Sequence, residues 1–321
     1  MNVQAVLLAG DRGHARAVKG RSKGFVDVGG KPMIVHVLEA LLHTPEVSEV
    51  FIVGDAIRIE KAMADYSCLQ LAAARSRPVH VIPQRDTLYE NIWHAFLRTL
   101  PPGPLESQDD RHPILVVPTD IPVVVPEELS EFVERAEASG ADHVIGLTPE
   151  VALLPFGASD DSPGIEMACF NLTEGRYRQS NLNYVRPLRI GNRHYIQDLY
   201  ENRYQQEFGS TLGLGMRILR KEFRNLWVLF PYLVMHVAGV LDRRGYRRLS
   251  DRVRSWVSLR TVERGLGAML RTELVFIETA LGGAALDVDN DSNLEVADKM
   301  IERWKAMQIR MVRAAKLQPD A

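Results

Sequence analysis

Between residues 10 and 23 the chain gathers Arg12, His14, Arg16, Lys19, Arg21 and Lys23, with Gly10 and Gly13 among them. Glycine tolerates positive φ and close approach, so the backbone amides of such a loop can converge on phosphate oxygens. Lys23 adds a point charge on a long stem, able to reach between phosphates. The segment is also much longer than the roughly four to six residues that simply connect two elements. It reads either as a phosphate-binding loop or as a solvated basic loop.

Two acidic stretches stand far from it in the chain. Asp120, in VVPTDIP, follows an apolar run; taken alone it reads as a turn or a helix cap. Much later comes GGAALDVDNDSNLEVADKM, with Asp287, Asp289 and Asp291. Its plain reading is an acidic turn, with Ser292 or Asn293 capping the last helix. In PQRDTLYENIWHAF, Gln84 and Asn91 flank a helix start. There the plain reading of Asn91 is an outward-facing residue behind a Thr87–Glu90 capping box. RYRQSNLNYVRP carries Arg178, Asn181, Asn183 and Arg186, groups suited to a negatively charged, hydroxyl-rich ligand or to a solvated polar hairpin.

The elements that must position these groups follow from periodicity. Val3 to Ala9 is a short apolar run ending at Gly10, as expected of a strand buried on both faces. Pro32 opens a helix running to about Leu42. Strands are predicted at Val50–Val53, Val79–Ile82, Ile114–Val117 and HVIGLTP, with helices at Ile57–Asp65, after Thr87, and from Pro126 to near Gly140. This alternation implies a three-layer α/β/α fold with a mostly parallel sheet and ligands at the carboxyl ends of its strands. The opening loop and Asp120 both fall at such ends.

After about residue 170 the pattern changes. The reading divides the chain into a core at 1–170, a mainly helical insertion at 171–272, and a return to the core at 273–321, with the last residues fraying. Leu226 to Leu241 is apolar but interrupted by Pro231 and His236, with arginine-rich flanks. Residues 217–260 read either as a buried helical pair with a homodimer contact or as an interfacial element on anionic lipid.

LLAGDRG followed by RSKGFVDVGGKPMIVHVLEAL resembles the signature of the MobA-like nucleotidyltransferases, and is similar to the wider sugar-phosphate nucleotidyltransferases. The resemblance implies that Leu8, Ala9, Gly10 and Gly13 wrap a nucleotide, that Lys23 contacts its phosphates, and that Asn91 lies in the region reading base or ribose. It also implies a metal held by Asp120 and Asp287, with Asp289 the close alternative to Asp287. Two positions depart from the pattern. Asp11 stands where a glycine is expected, and Ala15 where an arginine is expected, leaving Arg12 or Arg16 to substitute.

The implied activity is transfer of a nucleotidyl group from a nucleoside triphosphate, CTP or GTP favoured, to a phosphorylated sugar or polyol, with release of pyrophosphate. Mg²⁺ suits that set, because it takes oxygen ligands from one or two carboxylates plus substrate phosphates. A phosphate monoester is already ionised near neutral pH, its second pKa being about 6, so no Ser-His or Cys-His pair is required. Two other readings stand beside this one: a glycosyltransferase of similar layering, since Asp287-Val288-Asp289 imitates an Asp-x-Asp motif, and a catalytically degenerate nucleotide-binding module.

The bulk composition sets bounds. A net charge of −2 gives no global attraction to nucleic acid. Two cysteines cannot build a disulfide framework, and nine histidines show no HExxH spacing. With no basic leader, the expected compartment is the cytoplasm, with residues 217–260 the one candidate for peripheral contact at the inner membrane face.

Overall fold

A computed structural model describes residues 2–10, 18, 22–193, 195, 196, 234, 237, 240, 241, 244–254 and 256–317. The apolar run after the N-terminus forms β1 (Val3–Ala9). A hairpin of β2 (Asp27–Val28) and β3 (Lys31–Pro32) then leads into α1 (Met33–His43). There follow β4 (Val47–Gly54), α2 (Ala56–Asp65), α3 (Cys68–Ala74), β5 (Val79–Pro83), α4 (Leu88–Thr99), β6 (Ile114–Pro118), α5 (Pro126–Ser139), β7 (His143–Pro149) and α6 (Glu150–Leu153). The remaining elements among the described residues are β8 (Phe170–Asn171), β9 (Arg176–Val185), α7 (Arg247–Arg254), α8 (Leu259–Leu270), β10 (Leu274–Glu278) and α9 (Asp291–Leu317).

The main sheet has the order β10-β7-β9-β6-β1-β4-β5, with β8 paired to β9. The pairs β1–β4, β1–β6, β4–β5 and β7–β10 are parallel, whereas β9 runs antiparallel between β6 and β7. Side-chain alternation with period two divides the core between two faces. Ala5 and Leu7 pack with Leu38 and Leu41 of α1, Ile59 of α2 and Phe132 of α5. Val6, Phe51 and Val116 pack on the other face with Phe96 of α4 and Leu270 of α8. The result is the expected three-layer, mostly parallel architecture.

The boundary expected at residue 170 does not coincide with an edge of the sheet. Residues 176–185, read as the polar start of an insertion, form β9 in the sheet's interior. Leu182 and Tyr184 of β9 are buried in the core, while Arg178, Asn181 and Asn183 are half-buried and hydrogen-bond to neighbouring loops and strands. That use of polar side chains hides the strand from a periodicity reading. At the other margin, α8 also packs on the sheet. The apolar stretch 226–241 lies mostly outside the described residues, and the described residues contain no helix long and apolar enough to cross a membrane. The last helix continues to Leu317, so most of the stretch expected to fray is helical, and Asn290, rather than Ser292 or Asn293, caps its start by accepting from Asn293 N at 2.8 Å.

The Gly-Gly-Lys-Pro motif has a structural role. Gly29 and Gly30 take φ of +59° and +81°, the pair of positive angles that a tight two-residue hairpin turn requires. Gly29 N donates to Asp298 Oδ1 at 2.8 Å, and a Cβ added at Gly29 would lie 2.6 Å from Ile301 Cγ2. The turn is therefore seated directly on α9. Gly29→Ala is expected to destabilise the fold by about 1–3 kcal/mol, combining left-handed strain with overpacking, as read by urea denaturation.

Candidate active site

Lys23 stands at the start of a short 3-10 turn, Lys23–Phe25, that follows the basic loop. The next residue explains how it reaches β6. A Cβ on Gly24 would lie 2.9 Å from Thr119 Oγ1, so only glycine lets this turn press against the residue before Asp120. Lys23 Nζ consequently donates to Asp120 Oδ2 at 3.2 Å, and it also pairs closely with Asp289 Oδ1. The backbone joins the two acidic segments as well, Val288 N donating to Asp120 O at 2.8 Å. Three residues separated by as much as 266 positions thus share one site beyond the carboxyl ends of the sheet strands.

Asp287 is the neighbouring carboxylate. It follows β10 through a tight turn at Gly283–Ala285 and is 8% exposed. Its partner is Arg178 of β9, whose guanidinium also donates from Nε to Ala285 O at 2.8 Å and from Nη1 to Ala168 O at 3.2 Å. Asn181, on the same strand, donates to Ala284 O at 3.0 Å. Arg178 and Asn181 therefore serve the turn that carries Asp287. The other two residues expected to meet the same ligand, Asn183 of β9 and Arg186 just past its end, face elsewhere. Asn183 Oδ1 meets His143 Nε2 at 3.4 Å, and buried Arg186 holds Ala141 O, Arg111 O and Glu137 past the opposite end of β6.

The electrostatics follow from crowding three acids with two cations. Burial raises the Asp120 pKa, with Asp289 adding to the rise and Lys23 opposing it. Burial alone lowers the Lys23 pKa, but the field of Asp120 and the contact with Asp289 outweigh it and hold the ammonium above the ordinary lysine range. Asp287 is pushed up to about 6 by burial and by Asp289, against the pull of Arg178. Added positive charge at this cluster would relieve the repulsion among the acids.

At the end of β1, Gly10 faces two amide side chains. A Cβ there would lie 3.1 Å from Gln84 Oε1 and 3.5 Å from Asn91 Nδ2. Asn91 is 9% exposed, and its Oδ1 accepts from Arg85 N at 2.5 Å. The Thr87–Glu90 capping box is also formed, so the two readings of this segment were not exclusive: the box starts α4, and Asn91 points inward beside Gly10. Leu8 and Ala9 end the same strand. Gly13, Arg12, Arg16, His14 and Asp11 lie outside the described residues.

Sequence reading missed the groups behind the acids. Glu128 of α5 is fully buried, its Oε2 accepting from Ala284 N at 2.9 Å. Burial raises its pKa to about 8, with a smaller push from Glu131, against the backbone hydrogen bond from Ala284. Between its unfolded value near 4.5 and about 8, the folded chain holds a proton there that the unfolded chain releases. The contribution of Glu128 to stability accordingly falls as pH rises through that window, by at most about 1.4 kcal/mol per pH unit. Denaturant titrations at pH 5 and pH 8 are expected to show this loss, and Glu128→Gln to diminish it.

The sequence matches the MobA-like NTP transferase domain over residues 5–205. It is 29% identical over 192 residues to the 2-C-methyl-D-erythritol 4-phosphate cytidylyltransferase of Chlorobium luteolum, covering 60% of this chain and 75% of that one. It is 27% identical over 140 residues to the molybdenum cofactor guanylyltransferase of Shewanella halifaxensis, covering 44% of this chain and 58% of that protein. Among solved structures, a hypothetical transferase from Thermus thermophilus shares the fold at a TM-score of 0.56 and 24% identity, over 92% of this chain and all of that one. With more than half of its length matched, the chain belongs to the MobA-like NTP transferase family and is a nucleotidyltransferase.

Proposed function

We propose that this chain transfers a nucleoside monophosphate from a Mg²⁺-bound nucleoside triphosphate to a phosphate monoester, releasing pyrophosphate. The observation that carries the reading is the convergence of Lys23, Asp120 and Asp289 on one site, with Asp287 beside it. The donor set fits Mg²⁺, being all oxygen and carrying excess negative charge in a crowded space. Among the described residues no group of three or more His, Cys, Asp or Glu side chains could hold an ion alone. Substrate phosphates would therefore complete the coordination. Asp120 and Asp287 would hold the ion, with Asp289 near Lys23. Bound there, Mg²⁺ would supply charge neutralisation at the α-phosphate.

In the reaction, an oxygen of the acceptor phosphate attacks the α-phosphorus in line. The bond from that phosphorus to the bridging oxygen breaks, and the bridging oxygen leaves with pyrophosphate. No proton has to be removed from an ionised acceptor, so the residues need only position and neutralise. Lys23, whose ammonium lies among these carboxylates, would neutralise charge on the phosphates. Gly10 gives the nucleotide close access to the backbone beside Gln84 and Asn91, two amides with the donors and acceptors needed to read a base or ribose.

The relatives make CTP and GTP the first nucleotides to examine, and the name of the cytidylyltransferase points to a polyol phosphate as acceptor class. Pyrophosphate release is expected with one of the four common triphosphates, Mg²⁺ and pooled sugar and polyol phosphates. Release that is absent with every pair, or indifferent to the acceptor, would count against this reading.

A further inference from the structure

We infer that Glu128 and Gln308 are positioning residues that fix Asp287 relative to Asp120, and so set how tightly the site takes a divalent cation; this rests on the metal reading above. Asp287 owes its place to the Gly283–Ala285 turn, and that turn is gripped from two sides. In front, Arg178 and Asn181 donate to Ala285 O and Ala284 O. Behind, Gln308 Oε1 accepts from Gly283 N at 3.2 Å, and Glu128 Oε2 accepts from Ala284 N at 2.9 Å. Gln308 reaches further: its Nε2 donates to Val123 O at 2.9 Å, on the segment that follows Asp120. One amide side chain on α9 thus spans the two stretches that carry the acids.

The packing leaves the turn little freedom. A Cβ on Gly283 would lie 2.6 Å from Gln308 Oε1 and 2.8 Å from Val123 O. One on Gly282 would meet Ala152 O at 2.8 Å. Glu128 and Gln308 are each fully buried. A buried carboxyl group is costly even when neutral, and apolar groups of the same size would often serve stability as well or better. A polar bracket here makes sense if what it supplies is position. Groups that orient metal-holding side chains commonly change cation affinity by about 10–100-fold when removed.

The test compares Glu128→Leu, Glu128→Gln and Gln308→Met with the parent chain and Asp287→Asn. Each is titrated with Mn²⁺–CTP and Mn²⁺–GTP, bound Mn²⁺ is read by electron paramagnetic resonance, and folding is checked by thermal melting. Asp287→Asn should weaken binding strongly. Glu128→Leu and Gln308→Met should weaken it about 10–100-fold while still folded, raising the KM for the metal–nucleotide more than they lower kcat. Glu128→Gln keeps the acceptor for Ala284 N and should bind within about threefold of the parent, a difference under 1 kcal/mol. If Glu128→Leu does not fold, Gln308→Met and Glu128→Gln carry the comparison. Folded Glu128→Leu or Gln308→Met binding Mn²⁺ as the parent does overturns the inference, as does Glu128→Gln losing as much as Glu128→Leu. If Asp287→Asn also binds as the parent does, the metal reading itself fails, and the inference with it.

Discussion

Asp287→Asn should lower kcat/KM for pyrophosphate release by about 10²–10³-fold, equivalent to about 3–4 kcal/mol of transition-state stabilisation. The substitution keeps size and shape but removes the charge that sits beside Asp289 and Arg178. It also leaves Arg178 facing a neutral amide, so part of the loss comes from an uncompensated guanidinium close to the reacting phosphates. Raising Mg²⁺ should recover some of the activity, because weakened coordination is overcome by mass action. A defect that does not respond to Mg²⁺ would place Asp287 outside the metal site. Steady-state rates across a Mg²⁺ series separate the two outcomes.

Lys23→Met should cost a similar factor, about 10²–10³-fold in kcat, with a smaller change in nucleotide KM. The ammonium has two tasks. It pairs with both Asp120 and Asp289, and in the proposed reaction it would stabilise charge developing on the phosphates. Methionine fills the space of the stem without either. The two acids would then repel, and the Asp120 pKa, already raised by burial, should rise further. Lys23→Arg is expected to rescue poorly, since a planar fork cannot replace a compact charge set between Asp120 and Asp289. Single-turnover measurements would separate the loss in chemistry from any loss in binding.

How much of this could be read from sequence depended on whether the signal was local. The strands before Gly10 and Asp120 and the helices after Pro32, Thr87 and Pro126 announce themselves through short-range periodicity and caps, and they form within a few residues of expectation. Asp120 was legible because it stands at the end of an apolar run, and Lys23 because it closes a long basic loop that contains glycines. The function of Arg178 was not. Its polarity suggested solvent or ligand, whereas its partners are carbonyls and a carboxylate brought in from residues 168 and 285–287. Glu128 was equally hidden, because Pro-Glu-Glu at a helix start matches the ordinary solvated first turn of a helix. Gln308 looks like any polar residue of an amphipathic helix. Burial of both is set by the Gly283–Ala285 turn, more than 150 residues from Glu128 in the chain, and no local pattern encodes it.

The proposed chemistry turns on the relation between Lys23 and the acids. A crystal structure with Mn²⁺ and a non-hydrolysable analogue of the productive triphosphate, located by anomalous scattering, tests it directly. The expected result is an ion held by carboxylate oxygens of Asp120 and Asp287 together with an α-phosphate oxygen, and Lys23 moved from the carboxylates onto the phosphates. An ion bound elsewhere, or a nucleotide whose α-phosphate lies away from both acids while Lys23 stays paired with them, would contradict it.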